Sequence, residues 1–420
     1  MKRSWPTLLL FLFISLVACN DASDAEIDRL PVRVIWEEDW GLVNARGRIL
    51  DDNGIAGKVS PVVNGFFSVR DSAGLVTLYR ASAEPAVLSE LTGLLDAGFF
   101  NNGLVPVVLP SGEFAVGDGF GRVRFKIKEI SGKKVTACAG MYRCGVLAVC
   151  NDAGLWGAVD KEGRTAIEAG YVSELVFCNG LAIGVERLSG VSDKFGYSII
   201  NNRGDVISTL PTDFYMENPV INHGYAVWSN GHAWGLADSQ GKLTELPMDV
   251  CGVEAVNGTH LIYIGRSGLR GVMTVDGRMV LPDRFNSLEF ASSGVLLASN
   301  ARHYFLMDLK GNEILRFDDA DEVISLSSSI DGAFKSKFGF AVRSGSLWDL
   351  CDISGCRVGN YEFAVLDFSY IYGVPQLSLA QAGAVSDETF SGLPRFFEPD
   401  SVCQVPDSLI YADSTVVMSH

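Results

Sequence analysis

Nine cysteines and five histidines are the residues of this 420-residue chain with the most chemistry to offer, and their spacing restricts it. Cys138, Cys144 and Cys150 recur every six residues, which is not a zinc-ligand spacing. Cys351 and Cys356 flank the turn sequence Asp352-Ile353-Ser354-Gly355, which sets them across a hairpin as a candidate disulfide. No histidine has metal-ligand spacing with another His or with Cys. Trp228 and His232 lie on either side of Asn230-Gly231 and make a candidate binding tip; the plain alternative is an aromatic pair across a hairpin. Asp318-Asp319-Ala320-Asp321-Glu322 is the densest acidic run, but it lacks the glycine and alternating spacing of a calcium loop. Gly117-Asp118-Gly119-Phe120-Gly121 is dense in glycine, yet no helix follows to cradle a phosphate. The expectation is no metal, no cofactor and no assigned catalytic residue.

One cysteine has a different reading. Lys2 and Arg3 form a basic start, and Leu8 to Val17 is an apolar run too short for a comfortable membrane span. It ends in Leu16-Val17-Ala18-Cys19, which resembles the lipobox of bacterial lipoprotein signal peptides. That resemblance implies removal of residues 1–18, a lipid on Cys19, and an envelope location. Asn20 rather than Asp follows the cysteine, which points to the outer membrane. Residues 19–31 then read as a polar, acidic tether.

The formal charge is −16, with 34 basic and 50 acidic residues. The basic residues are scattered through turns with no patch in the sequence, which argues against nucleic acid as a partner. Hydrophobic content of 48% together with 45 glycines suits a turn-rich β protein.

What must position these groups is a repeat. A bulky residue, often Trp followed by Gly, recurs with a turn glycine seven residues later, at a period of about 40 residues. The slots are Trp40, Val76, Phe125, Trp156, Phe195, Trp234, Arg270, Tyr304 and Trp348. The turn glycines are Gly47, Gly163, Gly204, Gly241, Gly277, Gly311 and Gly355. All but Gly277, which follows Thr274, close an Asp/Asn-x-x-Gly turn, in which the polar side chain caps the turn and glycine takes the left-handed position. A second signature precedes each slot strand: Asn-Gly or Gly, then a small and branched strand, as in Asn179-Gly180-Leu181-Ala182-Ile183. Ser111–Gly121 and the stretch around Ser325 to Ser336 read as inserts in this frame. Repetition of one slot makes Trp40, Trp156, Phe195, Trp234 and Trp348 core anchors between units, not a row of exposed sugar-stacking rings.

The Trp-Gly strand, the Asp-x-x-Gly turn and the Gly-Leu-Ala-like strand resemble the WG-repeat family over roughly Val32 to Leu377. The resemblance implies a β-rich repeat and carries over no catalytic residue. The expected fold is all-β, a closed β-propeller of ~40-residue sheets, with an open superhelical β-array as the alternative. Residues 32–383 form the repeat domain, and 384–420 a tail packed on the repeats or loose. The chain begins on a Trp-Gly half-unit and ends on a Gly-strand half-unit, so its two ends are placed to complete one unit. The expected function is a lipid-anchored envelope scaffold that binds a protein or glycan partner. The alternatives are an envelope propeller hydrolase or lyase with acids near the axis, and an outer-membrane assembly factor.

Overall fold

The computed structural model describes residues 29–36, 39–44, 57–60, 63–81, 85–188, 194–292, 294–301, 303–326, 338–352, 355–356, 363–371 and 374–381. Cys19, Gly47 and the tail 384–420 lie outside them, and Trp40 is described only as part of the strand Asp39–Asn44. Every regular element among the described residues is a strand.

Eight sheets follow one another along the chain, at 58–87, 96–127, 129–171, 181–209, 225–245, 250–285, 287–317 and 322–381. They are numbered 1 to 8 below. A full sheet is an antiparallel meander of four strands in chain order, as in sheet 6: Val250–Val256, His260–Gly265, Arg270–Thr274 and Met279–Phe285. Sheets 4 and 5 keep only the second to fourth strands.

The second and third strands carry the apolar residues and are covered on both faces. Leu147–Asn151 and Trp156–Val159 are buried throughout. The fourth strands alternate or are exposed, as in Val206–Thr209 and Glu313–Phe317. Only a sheet sandwiched between two neighbours needs this pattern.

The repeated turn is what stacks one sheet on the next. Asp160 Oδ1 accepts the amide hydrogens of Glu162 and Arg164, and Gly163 closes the turn at φ +81°. Asp118, Asn201, Asp238 and Asp308 cap their turns in the same way. Each turn glycine then nests against the perimeter of the preceding sheet. A Cβ on Gly163 would stand 2.7 Å from the Phe125 ring, and one on Gly311 2.9 Å from Leu281. Gly121 meets Leu88 and Ser89, Gly204 meets Ile167, Gly241 meets Ser208, Gly277 meets Pro247, and Gly355 meets Leu315. One contact thus joins all eight sheets in chain order.

The ends of the chain meet in sheet 8. Arg29–Trp36 lies parallel to Val374–Gln381, with Val32 opposite Leu377, and Asp39–Asn44 pairs outside it. Asp39–Asn44 also approaches Lys58–Val59 of sheet 1. The fold is an all-β repeat of the β-propeller kind. Its nine slots occupy eight sheets, because Trp40 and Trp348 both belong to sheet 8. The two terminal half-units share this sheet, with Arg29–Trp36 between them.

Two slots shift. Phe114, not Phe125, opens the third strand of sheet 2 and stands seven residues before Gly121. Ser111–Gly121 is therefore an ordinary turn and third strand, not an insert. In sheet 4 the residue seven before Gly204 is Tyr197, which is buried, while Phe195 is half-buried at the start of the strand. Gly196 marks Phe195 in the sequence, but the capping Asn201 stands four residues after Tyr197, as Asp160 does after Trp156.

Glycine after the bulky residue makes room for an aromatic on the neighbouring strand. Trp228 lies opposite Gly235 and Tyr263 opposite Gly271, and a Cβ on either glycine would run into that ring.

Candidate functional site

Two surfaces remain once the core is accounted for: the seam between the first strands and the perimeter of the fourth strands.

The inner seam is polar. The two-residue turns that lead into the second strand are Asn64-Gly65, Asn102-Gly103, Cys144-Gly145, Asn179-Gly180 and His223-Gly224. Both residues of each have positive φ, the geometry of a two-residue hairpin. Side chains beside these turns reach the next sheet. Asn64 Nδ2 donates to the Phe100 carbonyl at 2.8 Å, and Asn101 Nδ2 to the Tyr142 carbonyl at 2.8 Å. Cys144 Sγ accepts the Gly180 amide at 3.1 Å.

Buried ionisable groups collect behind these turns. Arg143 is 5% exposed. The residue Glu174 is half-buried, but its carboxyl is desolvated, which pushes its pKa up to about 7 against the pull of Arg143. Burial also pushes the Cys138 thiol far up, with Glu174 and Asp96 adding to it, so it is no nucleophile at neutral pH. Asp96 is held by Arg70 at 2.6 Å. In sheet 7, burial raises Glu289 to about 7, opposed by a hydrogen bond from the Ser325 amide. Glu174 leads into sheet 4 and Glu289 lies on the first strand of sheet 7, so the two are not a carboxylate pair of one site. Among the described residues no three His, Cys, Asp or Glu side chains converge on a metal-sized site.

The perimeter is apolar in one arc. Val206, Leu243 and Met279 each stand two residues after a turn glycine, in sheets 4, 5 and 6. They are 56%, 39% and 52% exposed, and Ile314 of sheet 7 is 57% exposed.

The residues singled out in the sequence fall as follows. Trp156 and Trp348 are buried, and Trp234 is half-buried against the core of sheets 5 and 6. Trp228 is 3% exposed and stacks on Phe214 with ring centroids 4.0 Å apart. His232 is exposed. The expected Trp228–His232 tip is therefore split: the strand pleat sends Trp228 inward, and only His232 stays at the surface. Of the two cysteines of the candidate disulfide, Cys351 lies in the core with Phe317 and Phe340 and Cys356 is exposed. Cys138 is buried, and Cys251 is exposed. Asp321 accepts the Gly345 amide and Glu322 pairs with Arg343, so part of the acidic run serves local structure. The polar inner seam had no signature in the sequence beyond the Asn-Gly dipeptides themselves.

No family model matches the chain. No curated protein matches it either. Similar solved structures exist at low identity. One, of the eukaryotic initiation factor, is 12% identical, with a TM-score of 0.52, covering 80% of this chain and 96% of that one. BamB from Moraxella catarrhalis is 12% identical at TM-score 0.36, covering 69% and 91%. PorZ, a bacterial surface component of the type-IX secretion system of Porphyromonas gingivalis, is 15% identical at TM-score 0.24, covering 80% and 52%. At these identities the likeness concerns the fold alone, and only the first reaches a TM-score that supports it.

Proposed function

We propose that this chain is a lipid-anchored bacterial envelope protein of the WG-repeat kind, whose β-propeller is a scaffold for a partner protein. The observation that carries the partner is the perimeter arc. Val206, Leu243 and Met279 occupy one repeat position in three consecutive sheets, and all are exposed. The sheets on either side, 3 and 7, fill that position with Thr165 and Glu313, and Val123 of sheet 2 is half-buried, so the exposed apolar run spans sheets 4 to 6. An exposed apolar patch of this kind marks a docking surface. The anchor rests on the lipobox-like Leu16-Val17-Ala18-Cys19.

A photo-crosslinking residue at Leu243 or Met279 is expected to capture one discrete partner in intact envelopes, while the same probe at Lys133 captures none. Equal yield at all three positions contradicts the arc. Cys19→Ser is expected to move the chain out of the membrane fraction, and unchanged membrane association contradicts the anchor.

A further inference from the structure

The perimeter changes character at sheet 2. Its fourth strand, Val123–Ile127, is entered from Arg122 and left through Lys128. Arg122, Arg124, Lys126 and Lys128 are all exposed, while Val123 and Phe125 are half-buried and Ile127 is buried. The outward side of this strand therefore carries four bases, one about every 7 Å over about 20 Å, with no acid between them in the chain. Sheets 3 and 7 mix signs at the same place, as Arg164 with Glu168 and Glu313 with Arg316, and Val206–Thr209 of sheet 4 carries no charge. The sequence reads as bases scattered through turns. In the fold these four stand in line on one strand of a molecule whose net charge is −16.

The acids beside the row are engaged. Asp118 Oδ1 accepts the amides of Phe120 and Arg122, and its other oxygen lies 3.6 Å from Arg124 on a side chain only 7% exposed. Glu113 is bonded by Lys126 and Ser111, and these bonds, with the charge of Lys128, hold its carboxyl below the usual range. Glu90 accepts the Val123 amide at 3.1 Å. Glu129, the next acid along the chain, lies opposite Lys134 in a hairpin. The ends of the row stay open to a ligand: among the described residues neither Arg122 nor Lys128 makes an ion pair. The Arg122 guanidinium stands 5.4 Å from the ring centroid of Phe120, which is itself 74% exposed.

The occupant of such a row is an extended anion. Its backbone edge is poorly placed to pair with an added strand, because Glu90 already takes the Val123 amide and a bulge at Arg124 breaks the register. That disfavours an acidic peptide docked as a strand. One exposed ring is no stacking platform for successive bases of a nucleic acid. Recognition falls to side chains, with the bases meeting repeated carboxylates and Phe120 offering an apolar face to a sugar ring.

We infer that the outer strand of sheet 2 docks an acidic polysaccharide, laid along Arg122, Arg124, Lys126 and Lys128 with one sugar against Phe120. The row lies outside the apolar run of sheets 4 to 6, so it is a second surface, independent of the partner protein proposed there. The test is a titration of the full chain in detergent with polygalacturonate at low ionic strength, with polyglutamate as the comparison probe. Polygalacturonate is expected to bind, and to weaken as salt is raised. Arg124→Glu combined with Lys128→Glu should weaken it at least about tenfold. Lys128→Glu alone should weaken it at least about threefold, which leaves a readable variant should the pair fail to fold. Lys161→Glu combined with Lys242→Glu, in the turns of sheets 3 and 5, should change it less than about twofold. Phe120→Ser should weaken polygalacturonate at least about threefold and leave polyglutamate unchanged. Absence of polygalacturonate binding, or equal losses in the row and turn variants, overturns the row. Polyglutamate bound as tightly as polygalacturonate, or Phe120→Ser without effect, overturns the polysaccharide as its occupant.

Discussion

The perimeter seam and the inner seam join the same sheets by different physics. At the perimeter a turn glycine at positive φ nests on or just beside the fourth strand of the preceding sheet, so the contact depends on the absence of a side chain. At the inner seam, side-chain amides, a thiol and ionisable groups bridge the sheets, so the contact depends on polar groups being satisfied. The first fails by steric intrusion, and pH reaches it only through capping carboxylates such as Asp160 and Asp308, which are held below their usual range. The second tolerates change in shape but is sensitive to charge.

The largest contrast is expected from glycine replacement. Gly163→Val places a β-branched residue in the left-handed region and drives it into Phe125, which should cost about 4 kcal/mol in chemical unfolding. Gly180→Ala, at an inner turn with nothing within 4 Å of the new methyl, should cost only the conformational part, about 1 kcal/mol. Equal losses would erase the distinction between the seams.

A pH titration of stability comes next. Glu174 and Glu289 are raised from 4.5 to about 7 in the folded chain. Below pH about 4.5 both are neutral whether the chain is folded or unfolded, so neither opposes folding. As pH rises to about 7 the unfolded chain ionises first, and stability falls by on the order of 2 kcal/mol for each group. Glu289→Gln should flatten its share of that slope, while Asp160→Asn at the perimeter should leave it unchanged.

A smaller effect is expected from the turn cap. Asp160→Ala removes the acceptor for the amides of Glu162 and Arg164, for a loss of about 1 kcal/mol. Asp160→Asn should retain most of that stability, because Asn201 already caps sheet 4 in this way. The smallest effect is Phe120→Ser, at an exposed tip, with a change under about 0.5 kcal/mol in stability.

The perimeter seam was legible in the sequence because its parts are local. A capping Asp and a left-handed glycine sit three residues apart, and the bulky slot four residues before the cap. Two slots went astray where a chance glycine competed with that spacing, at Gly196 and in the glycine-dense Gly117–Gly121. Trp228 was misplaced for a different reason. Its neighbours suggest a loop tip, but it belongs to a second strand whose pleat faces the core. The inner seam was not legible, since Cys138, Arg143 and Glu174 come from two sheets and meet only after stacking.

The central claim is that each turn glycine is reserved for the fourth strand of the sheet before it. A double-mutant cycle of Gly163→Val and Phe125→Ala in urea unfolding tests it most directly. The account predicts that Phe125→Ala opens the space the valine needs, so the double variant is more stable than the sum of the single losses by at least about 1 kcal/mol. Strictly additive losses would mean that Gly163 serves only its own turn, and that the sheets are held together by something else.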